Sequence, residues 1–158
     1  MSKDSILKLR ETTGAGIMDC KRALLAAAGN YELAQEILKQ KGLDAAKKKS
    51  AREAKEGQVV SYIHAGGKIG VLLEVNCETD FVARNEVFQR FARDVAMQVA
   101  AQPEAAPLPD QKFIKDPAKT IRDYLTETMA RLGENILLRR YTRFALGEEP
   151  RTEELIRE

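Results

Sequence analysis

Residues 69–84 constrain the fold most: the apolar run Ile69-Gly70-Val71-Leu72-Leu73-Glu74-Val75 gives way within five residues to a helical period beginning at Phe81. An apolar run of that length reads as a largely buried strand, so the chain must turn between Asn76 and Asp80. Thr79 is the best helix cap in the turn, because its hydroxyl can accept a hydrogen bond from a first-turn amide. Asp80 adds a carboxylate where the helix dipole is positive. At 100° per residue, Phe88, Phe91, Ala92, Val95 and Val99 fall on the Phe81 side of a helix expected to run from Asp80 to about Ala101. Polar Arg84 and Asn85 interrupt that side. Two readings of Phe81 follow: the first core residue of its helix, or a ring offered at a helix tip.

The strand also has a partner in the sequence. Val59-Val60-Ser61-Tyr62-Ile63-His64 precedes it across Ala65-Gly66-Gly67-Lys68, and Gly-Gly between two β-favouring runs is a hairpin signal. Val71, Leu72 and Leu73 are apolar on both faces, which predicts a central strand covered by the helix after Asp80. A third strand is expected over residues 135–146, ending at Gly147. Before it, Asp116 and Pro117 read as cap and first residue of a helix stopped by Gly133, with Ile121, Tyr124, Leu125, Thr128, Met129 and Leu132 as its core stripe. The proline-rich residues 102–110 predict an extended connector.

The N-terminal residues 4–42 read as three short helices. Ile6, Leu7 and Leu9 face the first, Ile17, Ala23, Leu24, Ala27 and Ala28 the second, and Leu33, Ala34, Ile37 and Leu38 the third, with Asn30 as its cap and Gly42 closing it. So small a core is marginal unless something docks on it, which points to recognition. The fold class expected is therefore α+β: a helical module over residues 1–42, a charged linker helix over 43–56, a three-stranded antiparallel sheet with packed helices over 57–147, and an acidic, frayed tail over 148–158.

Net charge is only +2, and Lys47, Lys48 and Lys49 are interspersed with acids and lack stacking aromatics, so a solvated face is expected there rather than a nucleic-acid site. Cys20 and Cys77 are far apart and read as free thiols of a reducing compartment. No apolar run reaches the roughly 20 residues that span a bilayer, and a soluble cytosolic chain without membrane contact is expected. The single histidine, His64, has no metal-ligand spacing, and no metal or cofactor site is expected. A thiol or hydrolytic enzyme would need a nucleophile–base spacing that the chain lacks. An adaptor built on the helical module and the lysine run would leave Phe81 without a role.

Eleven consecutive residues from Glu74 to Arg84 resemble the elongation factor Ts family, whose Glu-aliphatic-Asn-x-x-Thr-Asp-Phe-Val motif is matched by Glu74, Val75, Asn76, Thr79, Asp80, Phe81 and Val82. Leu9, Arg10, Thr13, Gly14, Gly16, Ile17, Asp19, Lys21, Arg22, Ala23 and Leu24 fit its N-terminal pattern, and Gly133, Glu134, Asn135, Ile136 and Arg140 its C-terminal one. The resemblance implies a guanine nucleotide exchange factor, not an enzyme of covalent chemistry. It implies that Thr79, Asp80, Phe81 and Val82 enter the nucleotide domain of elongation factor Tu beside its magnesium site and promote GDP release. It implies too that the N-terminal module is ubiquitin-associated-like and docks on that partner through Arg10, Ile17 and Met18, although Ile17 equally fits burial in its own helical pair. The middle of this chain is shorter than in long family members, which carry a helical insertion and two small sheets. A single sheet leaves one face needing cover, so a homodimer by sheet-on-sheet packing is expected.

Overall fold

The computed structural model describes residues 2–101, 105–148 and, for the backbone, 154–155. Residues 102–104 of the expected connector, and the acidic tail apart from Glu148, Glu154 and Leu155, lie outside the described residues. Three helices open the chain: α1 (Lys3–Thr13), α2 (Ile17–Ala26) and α3 (Tyr31–Lys49). Asn30 caps α3 as expected, its side chain accepting from the Leu33 amide at 2.9 Å. Leu9, Cys20, Ala23, Leu24, Ala27, Ala34 and Leu38 are buried between the three helices. Leu33, expected among them, is instead exposed.

Gly42 does not close α3, which continues to Lys49 and merges the third helix with the linker. A single interior glycine costs only about 1 kcal/mol relative to alanine, and the Ala- and Lys-rich residues beyond it are strong helix formers. The longer helix leans on the core: Lys39 pairs with Asp123 at 3.3 Å.

Strands β1 (Glu56–Ile63) and β2 (Ile69–Cys77) form the expected antiparallel hairpin, with Gly66 and Gly67 both at positive φ in the turn. Gly57 sits at φ 137° opposite Asn76, where a Cβ would overlap the Val75 carbonyl oxygen. On the other edge of β2 lies β5 (Leu137–Ala145), also antiparallel, so β2 is central. The register shifts between Glu74 and Val75, which pair with Arg140 and Leu138. Arg139 is thus the extra residue of a bulge, and its guanidinium donates to Asn76 Oδ1 at 2.9 Å. A two-residue strand, β6 (Glu154–Leu155), pairs with β5 opposite Arg140 and Tyr141. The sheet therefore has three long strands and one short edge strand, and this part of the tail is paired rather than frayed.

The helix expected from Asp80 to Ala101 is two helices, α4 (Asp80–Ala83) and α5 (Glu86–Ala101). Asn85 makes the break by turning its side chain to accept from the Val87 amide at 2.8 Å, as a residue before a helix does. Phe88, Phe91, Ala92, Val95 and Val99 of α5 are buried, with Val71, Leu73 and Val75 in the same core.

Asp116 and Pro117 do not start a helix. They lie in strand β4 (Asp116–Thr120), which pairs with β3 (Lys112–Phe113), and α6 (Ile121–Leu132) begins later. Thr120 and Asp123 form a reciprocal capping box there, which satisfies more backbone groups than Asp116 could. The fully buried Gln98 supplies a second reason. It donates to the Lys112 carbonyl at 3.0 Å and accepts from the Ile114 amide at 3.0 Å, holding that backbone extended. Tyr124 of α6 stacks on Phe113 with ring centroids 4.8 Å apart and meets Phe91 edge-on at 5.0 Å. Its hydroxyl donates to Asp94 at 2.9 Å, and burial beside that carboxylate pushes its pKa up.

α5 covers one face of the sheet. The other carries exposed Val59, Ile63, Leu72 and Phe144, interrupted by an Arg140–Glu74 ion pair at 2.8 Å.

Candidate functional site

The site grows out of the end of β2. Asn76 and Cys77 are buried, and Asn76 donates to the Glu56 carbonyl at 3.2 Å, tying the end of β2 to β1. The Cys77 thiol donates to the Thr79 carbonyl at 3.1 Å. Burial, with the Glu134 carboxylate nearby, pushes that thiol up to about 11, so it is protonated and unreactive at neutral pH.

Thr79 then caps α4 as expected. Its backbone is extended, and its hydroxyl oxygen accepts from the Val82 amide at 3.4 Å. Within this single turn the side chains divide. Ala83 is buried and Val82 packs against the core, while Asp80 pairs with Arg84 at 2.7 Å on the surface. Phe81 is 80 % exposed, so it is not the first core residue of its helix. Burying such a ring is worth roughly 1.5–3 kcal/mol, and the fold forgoes that gain while anchoring Val82 and Ala83 beside it.

What holds the turn comes from the connection between α6 and β5. Glu134 Oε2 accepts from the amides of Glu78 at 3.1 Å and Thr79 at 3.0 Å, and Oε1 accepts from the Thr79 hydroxyl at 2.6 Å. Glu78 returns the contact, accepting from the Asn135 amide at 2.6 Å and facing the Arg52 guanidinium at 3.5 Å. The Asn135 side chain donates in turn to the Arg52 carbonyl at 2.7 Å. Three chain segments are thereby knotted under the tip. Glu134 and Asn135 could be noticed in the sequence only as residues fitting a family pattern; nothing local marks them as supports of a turn more than fifty residues earlier.

Thr79, Asp80, Phe81 and Val82 thus form one braced projection. The N-terminal residues are less unified. Ile17 and Met18 stand side by side at the start of α2, 46 % and 60 % exposed, so Ile17 is not buried in its own helical pair. Arg10 lies in the last turn of α1, lining a shallow hollow with Leu7, Glu11, Gly14 and Arg131 of α6. Elsewhere, His64 contacts the Tyr62 hydroxyl at 3.2 Å. Among the described residues no cluster of His, Cys, Asp or Glu is placed to hold a metal ion, and no helix is long and apolar enough to cross a membrane.

A family model described as elongation factor TS matches residues 78–153, a span that takes in both the tip and its Glu134 brace. Elongation factor Ts of Geotalea daltonii is 46 % identical over 191 positions, covering 89 % of this chain and 87 % of that protein. The chain belongs to the elongation factor Ts family. Elongation factor Ts of Anaeromyxobacter sp. strain Fw109-5 is 44 % identical, and that of Carboxydothermus hydrogenoformans 45 %, each over 195 positions and 94 % of this chain, and over 89 % and 90 % of the relatives. Each alignment is longer than this 158-residue chain, so the relatives carry residues within it that have no counterpart here.

Proposed function

We propose that the chain is the guanine nucleotide exchange factor of elongation factor Tu, acting in cytoplasmic protein synthesis without covalent chemistry. The observation that carries this reading is the exposed Phe81 ring on a one-turn helix whose neighbours are anchored. A ring held out of the core is available as a wedge. In this reading the N-terminal module seats the chain on the partner's nucleotide domain through Arg10, Ile17 and Met18, and residues 79–82 press in beside the partner's magnesium site. Asp80, paired with Arg84, sets the approach through hydrogen bonds and acts neither as a base nor as a metal ligand.

Exchange then follows from linkage. A factor that binds the nucleotide-free partner more tightly than the GDP-bound one weakens GDP by the same ratio. Phe81 alone supplies roughly 1.5–3 kcal/mol, or about one to two decades at about 1.4 kcal/mol each. The remainder must come from a broad interface, which is the role of the module and the sheet. Calorimetric titration of the chain into nucleotide-free and GDP-bound elongation factor Tu tests this. Tighter binding to the nucleotide-free form, by the factor with which saturating chain weakens GDP, supports the reading; equal affinities refute it.

The sheet face that exposes Val59, Ile63, Leu72 and Phe144 among the described residues supports a homodimer formed by sheet-on-sheet packing, since one patch on two copies makes a two-fold interface. Sedimentation equilibrium of the chain and of Leu72→Lys checks it: a dimer that dissociates in the variant is expected, and a monomeric parent at high micromolar concentration refutes it.

A further inference from the structure

One carboxylate, 55 residues beyond Thr79 in the chain, binds the turn that leads into the tip. Glu134 follows Gly133, whose left-handed backbone ends α6 and whose amide bonds to the Met129 carbonyl at 2.9 Å, so it sits at a fixed point of the core. From there it takes three hydrogen bonds from two consecutive residues of the turn. Hydrogen bonds to an ionised carboxylate are stronger than neutral ones, and three of them converging on one group restrict both the position and the rotation of the turn.

The third bond does more than hold. Thr79 gives its hydroxyl hydrogen to Glu134, which turns the oxygen's lone pairs to the Val82 amide. Glu134 thus sets the polarity of the cap on α4. With Ala83 buried at one end of that helix and Thr79 clamped at the other, the direction of the Phe81 Cα–Cβ bond is fixed. Val82 and Ala83 hold α4 to the core at its C-terminal end, and the Glu134 bonds hold Thr79 at its N-terminal end.

We propose that Glu134 is the positioning residue of the exchange tip, aiming Phe81 through Thr79 without itself touching the partner. This rests on the exchange reading above. The variants Glu134→Ala, Glu134→Asp and Glu134→Gln of the full chain test it. Aspartate keeps the charge but withdraws the carboxylate by one methylene. Glutamine keeps the reach: its carbonyl oxygen can accept both amides while its NH2 group faces the Thr79 oxygen.

Two readouts are needed. The first is GDP release from elongation factor Tu against chain concentration, giving a maximal rate and a half-saturating concentration. The second is hydrogen exchange of the Glu78 and Thr79 amides in the chain alone. For Glu134→Asp and Glu134→Ala, the maximal rate should fall about tenfold (about 1.4 kcal/mol) while the half-saturating concentration moves less than about threefold. The two amides should exchange faster by a similar factor. Glu134→Gln should stay within about threefold of the parent in both readouts. If Glu134→Ala does not fold, the aspartate and glutamine pair decides alone.

A folded Glu134→Asp that retains the parent's rate overturns this proposal and leaves the exchange reading standing. A loss in Glu134→Gln as large as in Glu134→Asp also overturns it, because a group of unchanged reach would then fail to aim the tip. A parent chain that accelerates no release overturns the exchange reading, and this proposal with it.

Discussion

Thr120→Ala and Asp116→Ala separate two starting points for α6, one observed and one suggested by the Asp-Pro dipeptide. Thr120 Oγ1 accepts from the Asp123 amide at 3.1 Å, and Asp123 Oδ2 accepts from the Thr120 amide at 2.9 Å and its hydroxyl at 3.0 Å. Truncating Thr120 removes two of these three bonds and leaves the Asp123 amide without its cap. Losing a Ser or Thr cap costs about 1 kcal/mol, within roughly 0.5–2. The lost hydroxyl–carboxylate bond adds to that, so about 1–2 kcal/mol is expected. Asp116 accepts from the Ala118 amide at 3.3 Å and meets Lys119 at 3.4 Å, with nearly half its side chain in solvent, and Lys119 retains Glu127 at 2.8 Å. Truncating it should cost less than about 0.5 kcal/mol. Urea unfolding followed by far-ultraviolet circular dichroism resolves the difference, given unchanged m-values. A cost for Asp116→Ala equal to or above that for Thr120→Ala would refute the assignment of the cap.

Gly57→Ala combines positive φ with a Cβ placed against the Val75 carbonyl and 2.7 Å from Asn76 Cα, both backbone atoms of the central strand. It should destabilise by about 3 kcal/mol, read from the urea midpoint, and a loss below about 0.5 kcal/mol would show that β1 yields freely. Acid should also weaken the fold. Lys41 and Arg22 lower the pKa of Asp19, and Arg140 lowers that of Glu74. For Asp123, burial works upward but is outweighed by the bonds from Thr120 and the Lys39 ammonium. Carboxylates with depressed folded pKa values contribute stability that is present above their unfolded values, about 3.9–4.3, and is lost as pH falls through the folded ones. Urea midpoints should therefore hold from pH 7 to about 5 and drop below about 4, whereas equal midpoints at pH 5 and 3 would contradict the ion-pair geometry.

The strands and the buried stripe of α5 were legible because burial imposes a period: Val71, Leu73 and Val75 alternate into the core, and Phe88, Phe91, Val95 and Val99 follow a helical repeat. The Thr79 cap was legible because capping is local, its acceptor and donor three residues apart. Two cap signals competed before α6, and the Asp-Pro pair lost because Gln98, 14 and 16 residues before the groups it bonds, claims the backbone of Lys112 and Ile114. The break between α4 and α5 turned on a side chain of Asn85 that could equally have continued the helix. The bracing of the tip by Glu134 was invisible for a simpler reason: it joins groups far apart in the chain, through hydrogen bonds that leave no hydrophobic pattern.

The central claim is that an exposed ring at a braced helix tip dislodges the partner's nucleotide. Stopped-flow release of GDP from elongation factor Tu, with the chain and with its Phe81→Ala variant at saturating concentration, tests it most directly. Because Phe81 is 80 % exposed, the variant should unfold at the parent's urea midpoint. The account predicts that the parent accelerates release and that the variant loses about one to two decades of that acceleration. Equal release by a folded variant, or no acceleration by the parent, would contradict it.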